Sequence, residues 1–249
     1  MGYIGKKPTP VPLTSSDITN DIITEAKIAD DAVENEHLNA NVITGHTALA
    51  ATPADTDELL ISDAGTLKRV DYSYLKSDPT HVLLATTTVS SAVAQVDFTS
   101  NIDSTYKVYM FDVFGVHPTT DSAQFQIRFF QGGSVDTGAV YDFGYIRARS
   151  DNSTANILTG ENADQIRLLE DCDSQSSATA NGRLFIYNPS LTDRYTQCQY
   201  HFSGTYQGNN NMSNAGAGRI QENAAVDGVR FYFNSGNIET GTFKLYGVN

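Results

Sequence analysis

The stretch ITNDIITEAKIADDAVENEHLNANVIT, residues 18–44, carries an apolar residue at every fifth position. These residues are Ile18, Ile23, Ile28, Val33, Leu38 and Ile43. A step of five turns the next residue about 140° away on an α-helix. On a strand, the same step moves it to the opposite face, because strands alternate with a period of two. No single helix or strand face therefore collects all six residues, and the regular spacing indicates a structural repeat rather than a polar linker with coincidental spacing.

The repeat lies in a segment too polar to fold alone. Residues 17–36 contain seven acidic residues and one lysine, Lys27. Ordering such a segment costs about 1–2 kcal/mol per residue in backbone entropy, and one chain has few apolar groups to offset that cost. Three copies that share one seam would bury each Ile, Val or Leu against its equivalents. We therefore expect residues 17–49 to form a pentad-repeat stalk in a homotrimer.

The segment before the repeat, residues 1–16, reads MGYIGKKPTPVPLTSS and contains three prolines. Alternating prolines favour an extended backbone and exclude a helix. The segment is expected to lie in a groove on another protein; a flexible tail is the alternative. The residues expected to make this docking contact are Tyr3, Ile4, Pro8, Pro10, Val11, Pro12 and Leu13.

A small hairpin module is predicted after the repeat, in residues 50–78. Two short strands, residues 58–62 and 66–71, flank the turn sequence Asp63-Ala64-Gly65, which is typical of a tight connection. Residues 72–76 are compatible with one helical turn. The module has too little apolar sequence for an independent core, so we expect it to act as a collar in the oligomer.

The remaining residues, 79–249, contain 22 of the 25 Phe and Tyr residues. Apolar and polar residues alternate in several segments, as in Phe125, Ile127 and Phe129, which predicts half-buried strands. A β-sandwich head, most simply a jelly roll, is the fold class that this pattern favours. The predicted strands are 81–88, 93–98, 105–114, 123–131, 140–149, 156–168, 182–188, 194–206, 226–233 and 240–247.

Composition disfavours several function classes. The formal net charge of −13 disfavours nonspecific nucleic-acid binding. No apolar run approaches the ~20 residues of a membrane span, so membrane insertion is not expected, and residues 1–10 lack the apolar region of a secretory signal. The two cysteines, Cys172 and Cys198, belong to no metal-binding motif, and whether they pair is left open.

No pattern of catalytic or cofactor-binding residues stands out. The five histidines lack metal-ligand spacing, no GxSxG motif occurs, and Gly216 and Gly218 lack the third glycine of a dinucleotide loop. We expect no cofactor, no metal and no enzymatic activity. A glycosidase with paired carboxylates is the alternative, although the chain has no Trp to form a sugar platform. Its candidate carboxylates are Asp136, Asp142, Glu161, Asp164, Glu170, Asp171 and Asp173.

The segment YQGNNNMSNAGAGR, residues 206–219, is predicted to be a long polar loop between strands. Loops on rigid β scaffolds often carry binding residues, and Asn offers both donors and acceptors. An ordinary connecting loop is the alternative. The residues expected to contact a receptor are Tyr206, Asn209, Asn210, Asn211 and Arg219.

Three runs carry a family resemblance: YIGKKPTPVPLTSSDIT from residue 3, AKIADDAVENEHLN from residue 26 and LLISDAGTLKRVDYSYL from residue 59. They resemble the N-terminal half of tail-fibre and related virion structural proteins of marine bacteriophages, those of cyanobacteria in particular. FFQGGSVDTGAVYDFGY, from residue 129, and the terminal GTFKLYGVN look like the β-sandwich head domains that end many such proteins.

The resemblance implies a virion protein assembled in the host cytoplasm. In that family, residues 3–16 would dock onto another virion protein, residues 18–43 would form the homotrimeric stalk, and the head would face the host. The implied partner of the head is a surface polysaccharide or protein of the host cell. A capsid decoration fibre with a structural role and a polysaccharide depolymerase are the alternatives.

Overall fold

The computed structural model describes residues 14, 16, 18, 23–29, 32–33, 37–76 and 79–249. The chain divides into two compact units, Met1–Ser77 and Asp78–Asn249, which are described separately below. The seven residues expected to dock onto another protein, from Tyr3 to Leu13, lie outside the described residues.

The first unit contains one antiparallel hairpin, formed by β1 (Glu58–Asp63) and β2 (Thr66–Asp71). Ala64 and Gly65 connect the two strands with φ angles of 51° and 84°, the left-handed conformation that a two-residue hairpin turn requires. A short 3₁₀ turn, Tyr72–Tyr74, follows directly. The predicted hairpin, its turn and the helical turn after it are confirmed.

The six pentad residues are all exposed in the single chain. Their relative exposure ranges from 45% at Ile18 to 79% at Ile43. Around them the described residues form only a 3₁₀ turn at Glu25–Lys27 and one helical turn, α1, at Asn41–Thr44. The described part of this unit therefore provides no core for the repeat.

The second unit is a 13-stranded antiparallel sheet. Its strands are β3 (His81–Val89), β4 (Gln95–Phe98), β5 (Val108–Pro118), β6 (Ala123–Gln131), β7 (Ser134–Val135), β8 (Tyr141–Arg149), β9 (Asn152–Ala163), β10 (Ile166–Cys172), β11 (Ala180–Tyr187), β12 (Gln197–Tyr206), β13 (Asn210–Ile220), β14 (Val226–Phe233) and β15 (Ile238–Val248). With 56% of the described residues in strands, the protein is mainly β, as the sequence predicts.

The sheet has two parts that meet at one point. The larger part pairs its strands in the order β3-β15-β5-β11-β12-β13-β8-β9, and the smaller in the order β10-β6-β14-β4, with β7 beside β6. A single pair, Cys172 with Tyr206, joins β10 to β12. At the other end an isolated bridge, Val93 with Ile238, brings the sheet close to closure.

Aromatic rings from the two parts of the sheet pack against each other. Phe98 of β4 and Phe231 of β14 lie 5.0 Å and 5.1 Å from the ring of Phe111 on β5. Phe125 of β6 contacts Phe202 of β12 at 5.8 Å. Tilted and edge-to-face rings at these distances are favourable beyond the area that they bury. The head core therefore lies between the two parts, as the alternating sequence patterns predict.

One strand prediction and one loop prediction are wrong. Residues 156–168 are not one strand, because β9 ends at Ala163 and β10 begins at Ile166 in the other part of the sheet. Residues 206–219 are not a long loop, because β13 covers Asn210–Ile220 and only residues 207–209 connect it to β12. The small polar residues that resemble a loop alternate across this strand, so their composition conceals a regular pattern.

Candidate functional site

Four of the five expected receptor-contact residues lie at one end of the larger sheet part. Tyr206 ends β12, Asn209 lies in the turn with φ of 64°, and Asn210 and Asn211 begin β13. The neighbouring β8–β9 turn is tied to them, because the backbone N–H of Ser150 donates to the Asn211 carbonyl and the Asn211 N–H donates to Ser150 Oγ. We call residues 150–152 and 206–211 the tip turns.

Arg149 fixes the only aromatic ring within the tip turns. Its guanidinium lies 4.2 Å above the Tyr206 ring, and it donates to both carboxylate oxygens of Asp151 at 2.9 Å and 3.0 Å. A guanidinium held by a carboxylate and stacked on an aromatic face is rigid. One face of Tyr206 is therefore covered, and the edge of its ring and the Asn side chains are what the tip turns offer to a ligand.

Arg219 does not join the tip turns. The pairing of β12 with β13 places Asn210 opposite Tyr206 and Arg219 opposite Gln197, so the two groups lie nine residues apart along β13. At ~3.3 Å per residue this separation is about 30 Å. The structure thus divides the predicted receptor residues between opposite ends of one strand.

A shallow groove of about 340 Å³ surrounds Arg219 on the sheet. Arg219 donates to Asp142 Oδ2 from Nε at 2.9 Å and from Nη2 at 2.7 Å. Burial alone would raise the pKa of Asp142, but hydrogen bonds from Gln221 and Arg219 outweigh it and hold the pKa below its ordinary value. Asp142 is therefore ionised at neutral pH, and the ion pair presents no net charge to a ligand.

A second hollow of about 210 Å³ shares Gln197 with the Arg219 groove. Tyr187, Arg194 and Tyr195 line it, and the Arg219 guanidinium lies 5.2 Å from the centre of the Tyr195 ring. Arg194 is paired with the adjacent Asp193. Neither tyrosine stands out in the sequence, because the strand register that places Gln197 between Tyr187 and Arg219 is not visible in composition.

Glu170 carries a buried charge in the head and is 6% exposed. Arg147 of β8 donates to Glu170 Oε2 at 2.7 Å, and Arg167 of β10 donates to Oε1. Burial raises the pKa of the neighbouring Asp171, and the charge of Glu170 adds to that rise. A buried carboxylate shared by two arginines holds β8 against β10, and it leaves Glu170 without a free oxygen.

Most of the other candidate carboxylates also have partners within the head. Asp164 pairs with Arg128 at 2.6 Å, Asp136 accepts from the Gly138 N–H, and Asp173 accepts from the Gln175 N–H. Through these contacts, the three carboxylates hold turns and strand ends of the head in place.

The described residues contain no group of three or more His, Cys, Asp or Glu side chains arranged to hold a metal ion. Cys172 and Cys198 are free thiols, both buried, and burial raises the pKa of each to about 12. Within the described part of the chain, no helix has the length and apolar character needed to cross a membrane.

Comparison of the chain with family models, with curated proteins and with solved structures gives no match.

Proposed function

We propose that the chain is a homotrimeric fibre subunit of a bacteriophage virion, attached to the particle by its N-terminal segment and contacting the host with its head. The observation that carries this proposal is the pentad repeat. Ile18, Ile23, Ile28, Val33, Leu38 and Ile43 are spaced by five and all lie exposed in the single chain. Regularly spaced, exposed apolar residues need a partner surface, and identical copies provide one in register.

The strand connections of the head support the same proposal. Setting aside the hairpin pairs β8–β9 and β12–β13 and the short β7, eight strands remain, and the first four pair with the last four in reverse order. β3 pairs with β15, β4 with β14, β5 with β11 and β6 with β10. A long antiparallel hairpin rolled up on itself would give this pairing, and on this ground we propose that the head is a jelly roll, a fold found in viral capsid proteins and lectins.

The head offers rigid binding elements for this role. The tip turns and the Arg219 groove both lie on long strands, and their arginines are fixed by Asp151 and Asp142. A trimer would present three copies of each. Three linked heads bind a repeated surface ligand with much higher avidity than one, through effective concentration alone. We propose an adhesive role without catalysis.

The test is the mass of the full chain by light scattering, compared with a variant in which Ile23, Ile28, Val33 and Leu38 are replaced by Ser. The proposal expects a threefold mass, or a multiple of it, for the natural sequence, and its loss in the variant. A matched control replaces the exposed Leu59, Leu60 and Leu67 of the hairpin by Ser. A mass that the four stalk substitutions leave unchanged would contradict the proposal.

The location of the protein is tested on the intact particle. Antibody against the head, bound to purified virions and viewed by electron microscopy, is expected to label the distal ends of fibres on the tail. Label spread over the capsid would instead assign the chain to capsid decoration.

A further inference from the structure

The strand β9 is one of the two edge strands of the larger sheet part, and β3 is the other. Within the described residues the 12 residues of β9 pair with β8 alone. The opposite side of its backbone therefore carries N–H and C=O groups that pair with no strand, which is a template for another strand. Along β9, the N–H groups of Thr154 and Asn162 donate to Asn152 Oδ1 and Asp142 Oδ1.

Natural edges of this length are commonly protected by lysine, proline, β-bulges or a covering segment. β9, NSTANILTGENA, contains no lysine and no proline. Its pairing with β8 shifts register on both sides of residues 156–160, so the regular stretch of this edge is short and contains Ile157.

The outward face of this edge is apolar. Ile157 of β9 is 78% exposed and lies directly opposite Ile146 of β8, which is 53% exposed. Ala215 of β13 follows in the same row. Two exposed β-branched side chains beside a small residue form an apolar patch at this edge, and exposed apolar patches can mark interaction sites.

Charge points to a second copy of this chain as the partner. The chain carries a net charge of −13, so most of its surfaces repel their own copies. β9 carries one charged residue, Glu161. When two copies of β9 pair in antiparallel orientation about Ile157, Ile157 faces Ile157, Ala155 faces Thr159, and Glu161 faces Ser153. No like charges oppose each other, and the edge is self-complementary.

We propose that two heads associate through their β9 edges around a twofold axis centred on Ile157. The larger sheet part then continues from one copy into the other, and the apolar pairs of Ile146 and Ile157 join into one covered patch. This contact does not depend on the stalk: a chain that trimerises through its repeat would pair its heads with those of a second trimer, giving six copies.

Four versions of the full chain distinguish the β9 edge contact from the stalk contact. The mass of each is measured by light scattering over a range of concentrations. The edge variant is Ile157→Lys, which places a charged side chain at the axis; the stalk variant carries the four Ser substitutions given above. At high concentration, we expect six copies for the natural sequence, three for the edge variant, two for the stalk variant and one for the combination.

The outcomes distinguish the two proposals. Equal masses for the natural sequence and the Ile157→Lys variant overturn the edge contact, whatever the stalk does. Equal masses for the natural sequence and the stalk variant overturn the trimer; the edge contact then stands if both are dimers and falls if both are monomers. Circular dichroism of each variant checks that the β head is intact, since Ile157 is exposed and its replacement removes no core contact.

Cross-linking tests the geometry of the edge contact. A single Ile157→Cys substitution is expected to give a disulfide-linked pair under mild oxidation, because the axis places residue 157 opposite itself. The two natural cysteines are buried and give little background. Gln199→Cys, on the same face of the interior strand β12, is the matched control and should not link. Equal linkage of both variants would contradict a specific edge contact.

Discussion

The local stability of the head depends on the buried carboxylate of Glu170. Its side chain is 8% exposed, and it binds both Arg147 and Arg167. Each guanidinium loses most of its hydration in this position and depends on the carboxylate for compensation. The strand predicted over residues 156–168 stops short of Glu170, which lies in β10, and no local pattern indicates that two arginines from different strands meet there.

We expect Glu170→Gln to destabilise the head by about 3–5 kcal/mol, because it leaves Arg167 without its carboxylate partner and Arg147 with only the more distant Asp171, at 3.6 Å. Urea unfolding followed by circular dichroism measures the change. Asp193→Asn is the matched control, since Asp193 pairs with Arg194 at the surface, where solvent screens the pair and it contributes little to stability. Similar effects of both substitutions would show that the Glu170 cluster is not stabilising.

At the scale of the element, β13 shows why composition misleads. It reads NNMSNAGAGRI. Its small residues are compatible with a strand because bulky side chains from neighbouring strands occupy the space beside them. A Cβ atom at Gly216 would overlap the side chain of Tyr145, and one at Gly218 would lie 2.8 Å from Ile166 Cδ1. The large residues that explain these glycines are distant in sequence, so the strand cannot be recognised locally.

Substitution of Gly216 tests this account. Gly216→Val is expected to destabilise the head by about 1–3 kcal/mol, because the added atoms overlap Tyr145 and Tyr200 in a packed interior. Ala217→Val, the next residue on the exposed face of the same strand, is expected to be neutral within about 0.5 kcal/mol. Thermal unfolding midpoints compare the two. A tolerated Gly216→Val would mean that this part of the interior is loosely packed.

Strands with clear alternation were predictable, whereas their partners were not. The sequence places Phe125, Ile127 and Phe129 on one face, and all three are fully buried. Their alternation is local and depends on a period of two. The division of residues 156–168 into β9 and β10 depends on which sheet part each strand joins, and no local pattern encodes that choice.

At the scale of the whole molecule, the head contains its own core. Every buried side chain of the described residues lies between Val89 and Leu245, within the second compact unit. The first described strand of this unit, β3, pairs with β15 near the C-terminus. Contacts between chain ends that are far apart in sequence close the unit, so the head depends on both ends being present.

A truncated chain of residues 79–249 is therefore expected to keep the β circular dichroism spectrum and the unfolding midpoint of the head in the full chain. A second truncation that begins at residue 90 is the control. It removes β3 and leaves the edge of β15 unpaired, including the backbone hydrogen bond that Asn249 donates to Thr80. Lost backbone pairing and lost contacts of Leu84 and Ala85 with the core should lower the midpoint strongly. If residues 79–249 failed to fold while the full chain folded, the head would depend on the residues before it. The stalk and collar would then be part of the folding unit, and the repeat would contribute more than oligomerisation.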